Sequence, residues 1–250
     1  MGRITETVKA LIIVNVIFYI GSHLIGSNAF DYLSIWFPEN NNFRYWQIFT
    51  HMFMHHPTFY MHIVFNMLGL WMFGTPLEKM WGRNRFLFFY FSSGLGAVIL
   101  PYIIDYYTFN SVLSSLTEAG YNAESIVSLL NEGKFMPSWA DVIGQGKLDS
   151  FTQIFMTNSL GASGAIMGLL VAFGISFPNA KLMLIFLPIP IKAKYFIPVL
   201  LGYEIISGFT GGVSVFGVNV GHWAHVGGAL FGLIMAWYWK KNSFNNKRWN

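Results

Sequence analysis

Six stretches of the chain are apolar over close to the roughly 20 residues that a bilayer crossing requires. They cover about residues 9–26, 59–76, 86–104, 162–178, 195–213 and 222–239. A seventh apolar stretch, Leu182 to Ile191, is too short and is broken by Pro188 and Pro190. It reads as part of an interfacial connection between the fourth and fifth stretches. The pattern predicts an all-α polytopic membrane protein, a bundle of six transmembrane helices. The first stretch also allows a cleaved signal peptide ending at Ser27-Asn28-Ala29, although its apolar run is long for one.

Two of the segments between these stretches are unusual. Residues 27–58 are rich in aromatics and histidine. They are too apolar for a plain loop and too broken for a span, so the expectation is a first loop embedded partly in the membrane. Residues 105–158 carry six of the eleven acids. There Asn122 precedes Ala123-Glu124-Ser125-Ile126-Val127 and Gly133 closes the run, which predicts a capped helix. The segment reads as an extracytoplasmic helical insertion in a single domain covering residues 1–250.

Charge sets the orientation. Arg3, Lys9, Lys79, Arg83, Arg85, Lys181, Lys192, Lys194, Lys240, Lys241, Lys247 and Arg248 fall on one side of the predicted spans, and only Arg44, Lys134 and Lys147 on the other. The positive-inside rule then puts both termini in the cytoplasm. Composition agrees with a membrane reading: 54% of residues are hydrophobic and 10% charged, against about 25% charged in soluble domains. The net charge of +4 does not point to nucleic acid, because the basic residues flank apolar runs instead of pooling in one patch. The absence of cysteine excludes disulfides, thiolate metal sites and cysteine nucleophiles.

Polar groups inside spans are costly and are functional candidates by default. His62 and Asn66 lie four apart, on one face of the second predicted helix. Ser163 opens the fourth within Gly161-Ala162-Ser163-Gly164. His225 lies early in the sixth, followed by Gly227, Gly228 and Gly232. In the predicted topology Ser163, His225 and His62 share one depth near the outer face. These are parts for acyl transfer. Ser163 can attack a carbonyl if His225 takes its proton. His62, Asn66 and the Ser163 N–H can donate to the oxyanion. Gly164, Gly168, Gly228 and Gly232 allow the close helix approach that a Ser–His hydrogen bond needs. No carboxylate neighbours His225 in sequence, so the expectation is a dyad with no third member. Glu204, in the fifth span, has no assigned role. His222 reads as interfacial.

With these residues in view, the chain resembles the rhomboid family of intramembrane serine proteases. Gly161-Ala162-Ser163-Gly164 is similar to the family's G-x-S-G motif, His62-Ile63-Val64-Phe65-Asn66 to its H-x-x-x-N motif, and Ala224-His225-Val226-Gly227-Gly228 with Gly232 to its last-span motif. The resemblance runs from Trp46 to Trp237. It implies Ser163 as nucleophile, His225 as general base, and His62 and Asn66 as oxyanion donors. It also implies the fifth span and the 214–221 loop as substrate gate and cap. It further implies transmembrane-protein substrates, a lipid bilayer as surroundings and no cofactor. The compact six-span form, with no seventh span, leans towards a bacterial inner membrane. Two positions depart from the pattern: Gln47 follows Trp46 where the family has arginine, and Met167 stands where an aromatic often stacks on the base.

Two other readings remain. One is a rhomboid-like pseudoprotease that holds client membrane helices. The other is a metal-dependent membrane oxidase using His51, His55 and His56 as a histidine box, although such sites need about eight histidines and the chain has seven. The plainer reading of His51 and His55 is that they pin the first loop, and no metal site is expected.

Overall fold

Helix occupies each of the six apolar stretches in the computed structural model, which describes residues 3–184, 187–211 and 221–243. The first is α1 (Glu6–Ile25), followed by short α2 (Ser27–Leu33) and α3 (Gln47–Thr50). The second stretch is α4 (Met61–Gly69), a wider turn over Leu70–Gly74, and α5 (Thr75–Trp81). Then come α6 (Arg83–Glu118), α7 (Ala123–Asn131), α8 (Trp139–Ile143), α9 (Gln145–Met156) and α10 (Ser163–Ser176). After a hairpin, α11 (Ala193–Thr210) and α12 (His222–Ser243) complete the described chain. Among the described residues, α1 and α6 are each long and apolar enough to cross a membrane.

The centre of the bundle is a seam between α6, α10 and α12, where glycine replaces side-chain interdigitation. A methyl group at Gly232 would lie 2.6 Å from Gly168 Cα, and one at Gly96 would lie 2.5 Å from the Phe231 ring. One at Gly228 would collide with the carbonyl oxygen of Gly164. Small residues let backbones meet at this range, and dispersion between them is what holds helices together where lipid removes the hydrophobic drive. Large apolar side chains face outward instead, including Ile17, Leu24, Val199, Phe209, Ile234 and Trp237. A bilayer is the surroundings that such a surface suits.

Glu78, in the first turn of α5, closes the start of α1. The Thr5 side chain makes no capping bond of its own. Instead the Glu78 carboxylate accepts hydrogen bonds from the Thr5 hydroxyl, from the Thr7 N–H at 3.2 Å and from the Val8 N–H at 3.0 Å. These are the donors a helix start leaves unpaired, and a negative charge there also suits the helix dipole. Burial alone would raise the carboxyl pKa, but the hydrogen bonds outweigh it and hold Glu78 below its ordinary value.

Two expectations change. The third helix does not stop near residue 104 but continues through Pro101 to Glu118. The reason is a second apolar face: Phe109, Val112 and Leu116 pack on Ile126, Leu130, Trp139, Phe151 and Phe155 to form a separate core beneath the insertion. The all-α expectation is corrected as well. Lys181–Leu184 and Leu187–Lys192 form antiparallel strands β1 and β2, pairing Lys181 with Lys192 and Leu182 with Ile191. Pro188 and Pro190 oppose a helix here, and a two-stranded ribbon leaves outer edges where their missing N–H costs nothing.

The insertion helix α7 begins as its sequence predicts. Asn122 accepts the Ser125 N–H at 2.9 Å, and Gly133, at φ +70°, ends the helix. There the Gly133 N–H reaches Leu130 O and the Lys134 N–H reaches Leu129 O, which satisfies the terminal carbonyls. The first loop is held by Gln47, which is fully buried. Its oxygen accepts the Arg44 N–H at 3.0 Å, and its amide donates to Asn42 O at 2.9 Å and Asp31 O at 3.2 Å. Thus the Trp46-Gln47 departure removes a charge but leaves a fully engaged hub.

Candidate active site

Ser163 is the first residue of α10, and His225 sits one turn into α12. The seam brings them together: Ser163 Oγ lies 2.8 Å from His225 Nε2. This is the range for a hydroxyl donating to a free imidazole nitrogen. The Ser163 backbone N–H belongs to the first helical turn, where N–H groups have no partner inside the helix.

His62, on α4, faces the same point. The His56 backbone N–H donates to His62 Nδ1 at 3.2 Å. An imidazole that accepts at Nδ1 carries its proton on Nε2. Gly161 marks where that proton points. A side-chain carbon at Gly161 would lie 3.1 Å from His62 Nε2 and 3.6 Å from Ser163 Oγ. Gly161 also has φ +128°, a conformation that other residues rarely adopt. The missing side chain leaves an opening bounded by the serine hydroxyl and an imidazole N–H. Asn66 is buried on the same helix face, with its amide donating 2.8 Å to the His62 carbonyl. The amide keeps a second N–H beyond that bond.

The profile of the Rhomboid domain matches residues 42–242. The chain belongs to the rhomboid family. It is accordingly an integral membrane protein. It is 28% identical over 180 residues to Rhomboid protein 1, mitochondrial, of Saccharomyces cerevisiae, covering 72% of this chain and 38% of that protein. It is 28% identical over 195 residues to Presenilin-associated rhomboid-like protein A, mitochondrial, of Danio rerio, covering 76% and 38%. A shorter match, 37% over 73 residues, links it to Rhomboid protease GlpG of Salmonella typhi, covering 29% and 26%. The rhomboid described here thus spans well under half the length of these relatives. They are named from both mitochondria and bacteria, so the expectation of a bacterial inner membrane gains no support from them.

One expectation about this rhomboid is overturned. A carboxylate does lie beside His225: Glu204 Oε1 is 3.0 Å from His225 Nδ1. The contact is a close approach of carboxylate and imidazole rather than a hydrogen bond, since His225 Nδ1 has no well-aligned acceptor. The other oxygen, Oε2, is 2.6 Å from His222 Nδ1. His222 is therefore not interfacial; it is buried and tied to α11. Spacing within α12 carried a signal, since His222 and His225 lie three apart on one face. A carboxylate within an apolar helix carried the other, since it needs a partner.

The histidines of the first loop do not converge on one point. His51 Nδ1 donates to Gln47 O at 2.8 Å, and His51 O accepts the Gly161 N–H at 2.9 Å. That second bond fixes the segment leading into Ser163. His55 Nδ1 lies 3.2 Å from Phe53 O. Met167 is buried in the main core. The cap expected at 214–221 lies outside the described residues except for Gly221.

Proposed function

We propose that this rhomboid is an intramembrane serine endopeptidase that cleaves a peptide bond in or beside a transmembrane segment of its substrate. The observation that carries the reading is the 2.8 Å approach of Ser163 Oγ to His225 Nε2, next to the Gly161 opening and His62 Nε2. Ser163 attacks the scissile carbonyl carbon while its proton moves to His225 Nε2. The oxyanion forms in the Gly161 opening, where the His62 Nε2–H and the Ser163 backbone N–H donate to it, with Asn66 as a further donor. The C–N bond breaks as His225 returns the proton to the leaving amine. Water then attacks the acyl-enzyme with His225 again as base, which restores Ser163.

The positive-inside distribution supports cytoplasmic termini, with Ser163 towards the opposite face. Residues 105–158 then lie on that outer side.

The test is labelling of purified protein by a fluorophosphonate probe, alongside cleavage of a reconstituted transmembrane substrate in liposomes. Both readouts are expected in the wild type and absent in Ser163→Ala and His225→Ala. His62→Ala should slow labelling by about 10²–10³-fold, the loss typical of one oxyanion donor. A folded wild type that never labels would favour a client-holding role instead.

A further inference from the structure

Glu204 occupies a place where a carboxylate is expensive. It sits in the apolar run of α11 and is 6% exposed, on the inward face with Ile197 and Ser207. Burying a charge is costly unless it is paired. Here the pairing is with two imidazoles from one helix face: Oε2 with His222 Nδ1 at 2.6 Å and Oε1 with His225 Nδ1 at 3.0 Å. The far nitrogen of His225 is the one that meets Ser163 Oγ at 2.8 Å. The result is a continuous polar chain, Ser163 to His225 to Glu204 to His222, crossing α10, α12 and α11. The Tyr203 ring lies edge-on to His222, with centroids 6.0 Å apart, and restrains the end of the chain.

We propose that Glu204 is a positioning residue for His225, with His222 holding its carboxylate in place. The inference rests on the reading of Ser163 and His225 as the reacting pair. His225 can accept the serine proton at Nε2 only if its own proton sits on Nδ1. An anionic oxygen on the Nδ1 side selects that tautomer. When Ser163 attacks, its proton goes to Nε2, the Nδ1 proton stays on the ring, and the imidazolium charge faces Glu204. The same proton later leaves Nε2 for the departing amine, so Glu204 neither gains nor loses one. His222 takes the shorter, better aligned bond. It fixes the carboxylate rotamer and leaves Oε1 3.0 Å from His225 Nδ1.

The experiment separates inactivation rate from probe affinity. A fluorophosphonate is titrated against wild type, Ser163→Ala and Glu204→Gln, giving kinact and KI for each. Glu204→Gln should lower kinact by about tenfold or more at unchanged KI, short of the about 10⁴-fold seen when a well-aligned triad carboxylate is neutralised. Equal kinact in wild type and Glu204→Gln would overturn the proposal. A wild type that labels no better than Ser163→Ala would remove the reacting pair itself, and the proposal with it. If Glu204→Gln does not fold, ¹⁵N-histidine NMR of the wild type decides. A proton on Nδ1 of His225 is expected, and a proton on Nε2 overturns the role.

Discussion

The glycine seam and the insertion core solve the same packing problem with opposite materials. In the seam, α6, α10 and α12 meet backbone to backbone because Gly96, Gly164, Gly168, Gly228 and Gly232 remove the side chains between them. Beneath the insertion, Phe109, Trp139, Phe151 and Phe155 are fully buried, and the rings of Phe109 and Phe151 stack with centroids 4.8 Å apart. On the outer-side placement proposed above, the aromatic core gains from apolar area removed from water. The seam gains nothing comparable in lipid and depends on the closeness of fit. Tolerance should therefore differ: the insertion should lose most when a side chain is removed, the seam when one is added.

The largest expected loss of stability lies far from Ser163. Phe151→Ala should cost about 3–5 kcal/mol, the usual range for deleting a buried aromatic. The damage should stay local, opening 105–158 to limited proteolysis while fluorophosphonate labelling of Ser163 persists. Loss of labelling in this variant would mean that the two regions fold as one and that the contrast is false. Next comes Gly228→Ala, at about 3 kcal/mol, the upper part of the range for overpacking, because the obstacle is a backbone carbonyl that cannot rotate away. This smaller loss should be the more harmful to the site, since it pushes α12 from α10 and separates His225 from Ser163. Normal labelling in a folded Gly228→Ala protein would show that the seam has slack.

Acid gives a gentler way to divide the regions. Glu78 has a lowered pKa in the folded state, so its contribution is complete above its ordinary value of about 4.5 and is lost as pH falls through the lower folded value. Thermal melts below pH 4.5 should show the bundle weakening by an increment that Glu78→Gln lacks at every pH. An identical pH dependence in both proteins would rule this contribution out. The smallest effect is a gain. Gly146 in α9 has open space around it, so Gly146→Ala should stabilise the insertion by about 0.4–1 kcal/mol. A destabilised Gly146→Ala would reveal contacts missed at that surface.

Much of this arrangement is legible along the chain. The apolar runs locate the helices. The motifs around His62, Ser163 and His225 name groups that the fold brings to one place. Asn122 and Gly133 bracket α7 through local bonds that a sequence can announce. Glu204 announces in sequence that it needs a partner, but not which one it takes. Periodicity tells which face of α11 it occupies, but its pairing with His222 and His225 depends on the axial register of α11 against α12, which no spacing within either helix encodes. The extension of α6 is not legible because residues 105–118 are polar on one face, and their apolar face finds its partner only after α7 to α9 fold back on it. Gln47 reads in sequence only as a departure from arginine, and its hub role emerges once the first loop closes around it.

Helix α6 takes part in both cores, with Gly96 in the seam and Phe109 in the insertion. That makes it a shaft with two gears. Removing one residue between them would turn the insertion by about 100° relative to the seam. Adding seven, close to two full turns, would restore the angle but raise the insertion by about 10 Å. The Asn40 amide, which donates 2.7 Å to the Phe155 carbonyl, could not follow that climb. Neither phase nor height can be adjusted without disturbing the other. The stretch from Gly96 to Phe109 should therefore be among the least able in this chain to change in length, even where its individual side chains are free to vary.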